Sequence, residues 1–260
     1  MIVEIPMTPL MIAALGVLMV ATAFLSGLFG MAGGMILIGV LLMLMPLPTA
    51  MVLHAITQMA SNGWRAFLWR AHIRWRPVFV YVIGCAIALS IWSLIRYVPD
   101  KPVALLLLGT TPFLARLMPA NLRPDPESVW QGAVYGSICM GLMLMTGVIG
   151  PLLDTYFLGG GKLDRRGIIA TKATCQVFSH FTKLIYFGGI IDQAATLNLT
   201  LVLVSVAASM LGTTLSRRVL EAMSDTQFRR WANRLITTVA SYYILYAGWL
   251  FVAKGFAASF

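Results

Sequence analysis

The chain has 260 residues, 59% of them hydrophobic and only 11% charged, with a mean hydropathy of +0.85. So apolar a chain cannot cover itself in water, which excludes a soluble enzyme and, despite a formal net charge of +10, a soluble nucleic-acid-binding domain. At about 20 residues per helical crossing there is room for roughly eight to ten spans and for no hidden soluble domain.

No basic residue precedes the first apolar stretch in MIVEIPMTPL, so a retained span is expected there rather than a cleaved signal. That span covers about Leu10 to Phe29 and closes in the glycine cluster Gly27, Gly30, Gly33 and Gly34. The next segment, about Met35 to Leu47, is interrupted by Pro46 and Pro48. At ~20 Å it falls short of a ~30 Å hydrocarbon core, which predicts a half-helix or a strongly tilted one. A third segment, about Thr49 to Trp69, leads into RAHIRWRP; two more follow, about Val78 to Ile95 and Val103 to Met118. Pro119 to Ser128 is the most polar stretch and reads as a cytoplasmic linker between a first membrane repeat, 1–118, and a second, 129–260.

The second half repeats the plan: about Val129 to Met145, the break TGVIGP, a short segment from about Leu152 to Leu158, then about Ile168 to Ile190, Leu197 to Ser216 and Trp231 to Val252. An odd number of crossings per repeat requires the halves to face opposite ways. Basic residues agree with this. With the RAHIRWRP loop in the cytoplasm, Arg70, Arg74, Arg76, Arg116, Arg123, Lys162, Arg165, Arg166, Arg217, Arg218, Arg229, Arg230 and Arg234 all fall inside, and only Arg96, Lys101 and Lys254 outside. Arg74 and its repeat counterpart Asp192 differ in sign, and both termini are expected outside the cytoplasm. The fold expected is an all-α polytopic membrane protein, an inverted repeat of two five-segment halves with short or broken helices after glycine-rich turns. Cys85, Cys139 and Cys175 lie in apolar runs without CxxC spacing and read as packing residues.

Two segments carry one polar pattern, HAITQMASNGWR from His54 and KATCQVFSHFTK from Lys172. Aligned without a gap, they pair His54 with Lys172, Gln58 with Gln176, Ser61 with Ser179, Asn62 with His180 and Arg65 with Lys183. Each set falls within an arc of ~100° on one helical face. An intramembrane charge costs at least ~2.5 to 3.5 kcal/mol at a helix centre, and among the apolar segments only Asp154 is available as a counter-ion. The shortage of acids suggests that a substrate brings the missing negative charge. With the segments running in opposite directions, Gln58, Asn62, Gln176 and His180 lie near the midplane, Arg65 and Lys172 on its cytoplasmic side, His54 and Lys183 on its outer side. The helix starts at Gly34 and Gly150 are candidate anion cradles, where backbone N–H groups and the helix dipole favour negative charge.

Plainer roles compete. Interhelical hydrogen bonding alone accounts for Gln and Ser, and less well for duplicated cations. Arg65 has the alternative of snorkelling beside Trp69, His54 that of a packed histidine, and the glycines that of close helix packing. Two uses are open to Asp154: counter-ion to Lys172 or Lys183, or a proton carrier alongside His180.

The order of these features, a first span ending FLSGLFGMAGG, a short helix and a polar segment leading to a basic loop, with the arrangement repeated after a linker, resembles the TauE/SafE family of sulfite and organosulfonate transporters, and the run ATKATCQVFSHFTKLIYFG, Ala170 to Gly188, is similar to that family's pattern. The resemblance implies movement of a small sulfur-containing anion, such as sulfite or sulfoacetate, across the bacterial inner membrane, without an ATPase subunit of its own. The expected partners are that anion, the bilayer and a coupling ion such as the proton; no cofactor, metal or nucleic acid is called for. Gln58, Asn62, Gln176, Ser179 and His180 are the expected hydrogen-bonding residues, with Arg65, Lys172 and Lys183 supplying charge. An anion channel, or a carrier of another small organic acid, is the nearest alternative. An intramembrane enzyme lacks any HExxH, nucleophile-elbow or paired-carboxylate pattern.

Overall fold

The computed structural model describes residues 8–30, 32–119, 125, 128–159, 165–194 and 196–257. Most of the predicted linker, with Arg123, the loop at Lys162 and both chain ends lie outside them. Helix α1, Pro9–Phe29, starts where the Thr8 side chain accepts from the Met11 N–H and Pro9 sets the first turn. It stops at Gly30, whose φ of 73° a Cβ-bearing residue adopts only with strain. Then come α2 (Ala32–Leu44), α3 (Leu47–Leu68), a 3₁₀ turn (Arg70–His72), α4 (Trp75–Ile95) and α5 (Lys101–Leu117). The second half follows as α6 (Val129–Thr146), α7 (Gly150–Gly159), α8 (Arg165–Ile185), α9 (Leu199–Ala222) and α10 (Asp225–Ala257). α6 ends like α1, at a glycine of positive φ, Gly147 at 80°. Among the described residues there is no strand.

Among the described residues, five helices are long and apolar enough to cross a membrane: Pro9–Phe29, Trp75–Ile95, Val129–Thr146, Leu199–Val219 and Arg230–Ala253. The chain is an all-α multi-pass membrane protein. α4 carries an exposed ridge, Trp75, Phe79, Ile83, Ile87, Ile91 and Ile95, at a spacing of four; α9 carries Leu199, Leu203, Leu211, Leu215 and Val219 in the same way. An apolar stripe facing outward suits lipid. α2 and α7 are short, as expected, although they start earlier than their sequence bounds, at Ala32 and Gly150. The eighth segment, expected as one helix to Ile190, instead turns π-helical at Tyr186–Ile190, where two adjacent glycines, Gly188 and Gly189, weaken the preference for α-helix. α9 and α10 run further than their apolar stretches, because the basic residues from Arg217 to Arg234 continue both helices into their connecting turn.

The helix pairs come in matched sets. α1 packs on α9 and α6 on α4; α3 touches α9 and α8 touches α4; α2 meets α10 and α7 meets α5. α1 and α9 run parallel, with Gly16 against Val204 and Gly27 against Ser216, and so do α4 and α6, with Val80 against Gly132 and Trp92 against Gly141. α3 and α8 run antiparallel: Val52 lies by Gly188, His54 by Lys183 and Gly63 by Val177. The two helices that carry the polar stripes are thus each other's main partner and stand at the centre of the bundle.

Candidate functional site

Every position of both stripes is buried, His54, Gln58, Ser61, Asn62 and Arg65 on α3 and Lys172, Gln176, Ser179, His180 and Lys183 on α8. The helical arc that groups them in sequence therefore faces protein along its whole length. Because the helices are antiparallel, the end residues that the gapless alignment of the two stripes pairs sit at opposite ends of the contact.

At one end Lys183, 0% exposed, donates from Nζ to His54 Nδ1 at 2.7 Å and to the Gly147 carbonyl at 3.1 Å. His54 Nε2 lies 3.0 Å from the Gly34 carbonyl. A carbonyl can only accept, so Nε2 carries the ring proton and Nδ1 receives the lysine. The chain of contacts ties the starts of both broken-helix turns, Gly34 of α2 and Gly147 before α7, to one ammonium group. Neither partner of Lys183 is anionic. The His180 ring stands 5.4 Å from that of His54, and His180 Nδ1 is buried without a hydrogen-bond partner among the described residues.

Amides occupy the middle. Gln58 lies over the first turn of α2, so close that a Cβ on Gly34 would stand 3.3 Å from its Oε1, and the Gln58 Nε2 donor is buried and unpaired. One turn on, Asn62 accepts from Arg65 Nη1 at 3.1 Å through its oxygen, leaving Asn62 Nδ2 and Arg65 Nη2 buried and unpaired. Three N–H donors without partners among the described residues thus follow one another along a single face of α3. Gln176 is buried on the facing helix. Polar atoms left so in a native interior call for an explanation, and a ligand rich in acceptors supplies one.

Lys172 occupies the other end with Arg65. Its ammonium group pairs with the Asp154 carboxylate of α7 and lies near Gly30, where a Cβ would come within 3.2 Å of Nζ. Of the two counter-ion roles open to Asp154, the structure has that to Lys172, not to Lys183. Gly150 opens α7 and is buried, and Gly34 sits in the first turn of α2 with its carbonyl committed to His54.

The serines face sideways. Ser179 shares a hydrogen bond of 2.8 Å with Tyr81 of α4 and donates to the Cys175 carbonyl at 3.1 Å; Ser61 shares one of 2.8 Å with Thr213 of α9. Each serine joins its central helix to the equivalent flanking helix. Tyr81 is a single hydroxyl in an apolar stretch and Thr213 one of several on α9, beside Thr214 and Ser216, so neither stands out in the sequence; His54, a member of the first stripe, holds Lys183.

Residues 14–243 match the family model described as Sulfite exporter TauE/SafE. The chain belongs to that family. Its members are transporters, which accords with the buried cations of α3 and α8, and the match covers nearly the whole of both halves. No curated protein and no solved structure matches the chain. Among the described residues of this TauE/SafE protein, no three His, Cys, Asp or Glu side chains come together in a metal-binding group.

Proposed function

We propose that this TauE/SafE protein is a secondary transporter that moves a small sulfur-containing anion, sulfite or an organosulfonate such as sulfoacetate, across the bacterial inner membrane by alternating access. The observation that carries this is the row of buried, unpaired donors on α3: Gln58 Nε2, Asn62 Nδ2 and Arg65 Nη2. An oxyanion presents several acceptors on one small body and satisfies such a row, while Lys183 and Lys172 flank it with charge. Gln176 and His180 complete the seat from α8, Ser179 fixes that helix against Tyr81, and the helix starts at Gly34 and Gly150 direct backbone N–H groups toward it.

On this reading residues 1–118 and 129–260 are inverted repeats joined by the 119–128 linker. The matched helix pairs and the antiparallel α3 and α8 support it. The turn between α3 and α4 faces the cytoplasm, and both termini lie outside. The tightly packed parallel pairs, α1 with α9 and α4 with α6, move as units, and the α3–α8 seam between them opens to alternate sides. Proton coupling is carried by His180, whose Nδ1 is free, and by Asp154.

A binding screen of the purified protein against sulfite, sulfoacetate, taurine, sulfate and short carboxylates tests the site. The best anion is expected to lose about tenfold or more in affinity on Asn62→Ala and on Gln58→Ala, the worth of a hydrogen bond to a charged group. Unchanged affinity in both variants refutes it. Transport in proteoliposomes that is indifferent to a pH gradient refutes the coupling.

A further inference from the structure

Each of the two short helices is gripped twice. At the polar seam a stripe residue donates to a backbone carbonyl beside the break: His54 to that of Gly34 for α2, Lys183 to that of Gly147 for α7. From outside the seam a buried tyrosine does the same from a long helix. Tyr243 of α10 donates its hydroxyl to the Met35 carbonyl at 2.7 Å, and Tyr135 of α6 donates to the Leu152 carbonyl at 2.7 Å. Met35 is the fourth residue of α2 and Leu152 the third of α7, so both hydroxyls act on a first turn.

A helix carbonyl already accepts from the N–H four residues on, so a second donor needs room beside it. At Met35 that room comes from Gly39, where a Cβ would stand 2.0 Å from the Tyr243 hydroxyl oxygen. At Leu152 the residue four on is Tyr156, whose ring stacks on that of Tyr135 at 5.0 Å and 11°. Both tyrosines are rooted where their helices have no slack. One turn before Tyr243, the Ala240 carbonyl oxygen lies 2.7 Å from where a Cβ on Gly109 of α5 would be. Next to Tyr135, a Cβ on Gly136 would stand 2.6 Å from the Tyr81 carbonyl oxygen of α4.

We infer that Tyr243 and Tyr135 are positioning residues for the transported anion, fixing the two half-helix starts and hence the direction of their backbone N–H groups. This role rests on the anion seat proposed between α3 and α8, and neither tyrosine lies on those helices. An anion that enters the seat competes for Lys183, and through it disturbs His54, so the seam grips loosen as the ligand arrives. The tyrosine hydroxyls take no part in that exchange and hold the turns through it. A first turn held in place presents its partial positive charge at a fixed point, whereas a loosened one must be ordered by the ligand at the expense of affinity.

Tyr243→Phe keeps the ring beside Gly39 and deletes the hydroxyl alone. Titration of the purified variant with sulfite is expected to give a Kd raised about three- to tenfold, the scale of ordering one mobile group on binding. Its melting temperature should move by about 2 °C or less. Tyr135→Phe carries the same expectation at α7 and decides the matter should Tyr243→Phe fail to fold. The control is Tyr186→Phe, which deletes a bond of the same kind, to the Tyr97 carbonyl at 2.7 Å beyond the end of α4, and should leave Kd within about twofold. Ligand charge separates positioning from general loosening: a displaced helix start costs a dianion more than a monoanion. In alkaline buffer Tyr243→Phe should therefore weaken sulfite by a larger factor than methanesulfonate. An unchanged sulfite Kd in both variants, an equal loss for the two anions, or an equal loss in Tyr186→Phe overturns the inference and leaves the anion seat standing. A parent protein that binds neither anion removes the seat, and the positioning role with it.

Discussion

Replacing Lys183 by Met separates a binding role from a bracing one. Lys183 is wholly buried and makes two hydrogen bonds, to His54 Nδ1 and to the Gly147 carbonyl. Interhelical hydrogen bonds within membranes average about 0.6 kcal/mol, so losing both costs about 1.2 kcal/mol. Met is close in length, and removing the ammonium group also removes its desolvation penalty, which offsets part of that loss. The melting temperature should therefore move little. Binding is another matter, because a hydrogen bond to a charged partner is worth about 1.5–3 kcal/mol, or roughly 10- to 150-fold in Kd. Titration of the variant with sulfite, beside a thermal melt of the same sample, compares the two. A Kd within twofold of the parent together with a large drop in melting temperature would show that Lys183 only braces the bundle, and the anion seat between α3 and α8 would lose its strongest charge.

Asp154→Asn removes the carboxylate from Lys172; with the Asp154 side chain 37% exposed, the pair is worth about 1 kcal/mol or less to stability. The freed ammonium should tighten sulfite binding, and transport by the variant should lose its response to a pH gradient; weaker binding would refute the pairing as an opponent of the substrate. Gly84→Ala puts a Cβ 2.2 Å from the Ala133 carbonyl oxygen, where backbone must give, so a loss of about 1–3 kcal/mol or more is expected. Gly248→Ala, with nothing within 4 Å, is the control in the same thermal melt. A disulfide between Gly63→Cys and Val177→Cys, across the α3–α8 seam, should arrest transport until reduced, whereas one between Gly16→Cys and Val204→Cys, within the α1–α9 pair, should leave it running; transport through a locked seam would exclude alternation there.

The architecture was legible where the physics is one-dimensional. Apolar length, glycine breaks at Gly30 and Gly147 and the duplicated stripe are all properties of a segment by itself, and the helices follow them. What failed to show were the features set by a neighbour. Tyr81 is chosen by the serine it meets, Ser179, and Thr213, one of several hydroxyls on α9 with Ser205, Ser209, Thr214 and Ser216, is set apart only by its contact with Ser61. The π-helical end of α8 was read as ordinary helix because its apolar pattern continues to Ile190; the turn changes at Tyr186, whose hydroxyl donates to the Tyr97 carbonyl at 2.7 Å beyond the end of α4. The extensions of α9 and α10 were missed for a different reason, since an apolar count ends a span where charge begins, while a helix continues until its backbone is capped.

His54 carries the difference between equivalence and contact furthest. In the gapless alignment of the two stripes its counterpart is Lys172, and an alignment can say no more than that. Because α3 and α8 are antiparallel, His54 meets instead the counterpart of Arg65, which is Lys183. The two ends of the site then solve the same problem differently. Lys172 has a carboxylate from α7; Lys183 has an imidazole whose one proton is directed to Gly34 and whose lone pair is thereby turned to the ammonium group. A neutral acceptor holds a lysine in place without cancelling its charge, so the His54 end keeps more attraction for an anion than the Lys172 end. His54→Asp reverses that allocation: it should raise stability at the Lys183 end while weakening sulfite affinity by about tenfold or more, the scale of a lost charge-assisted contact. Undiminished affinity in that variant would mean that the charge on Lys183 is not what the substrate meets.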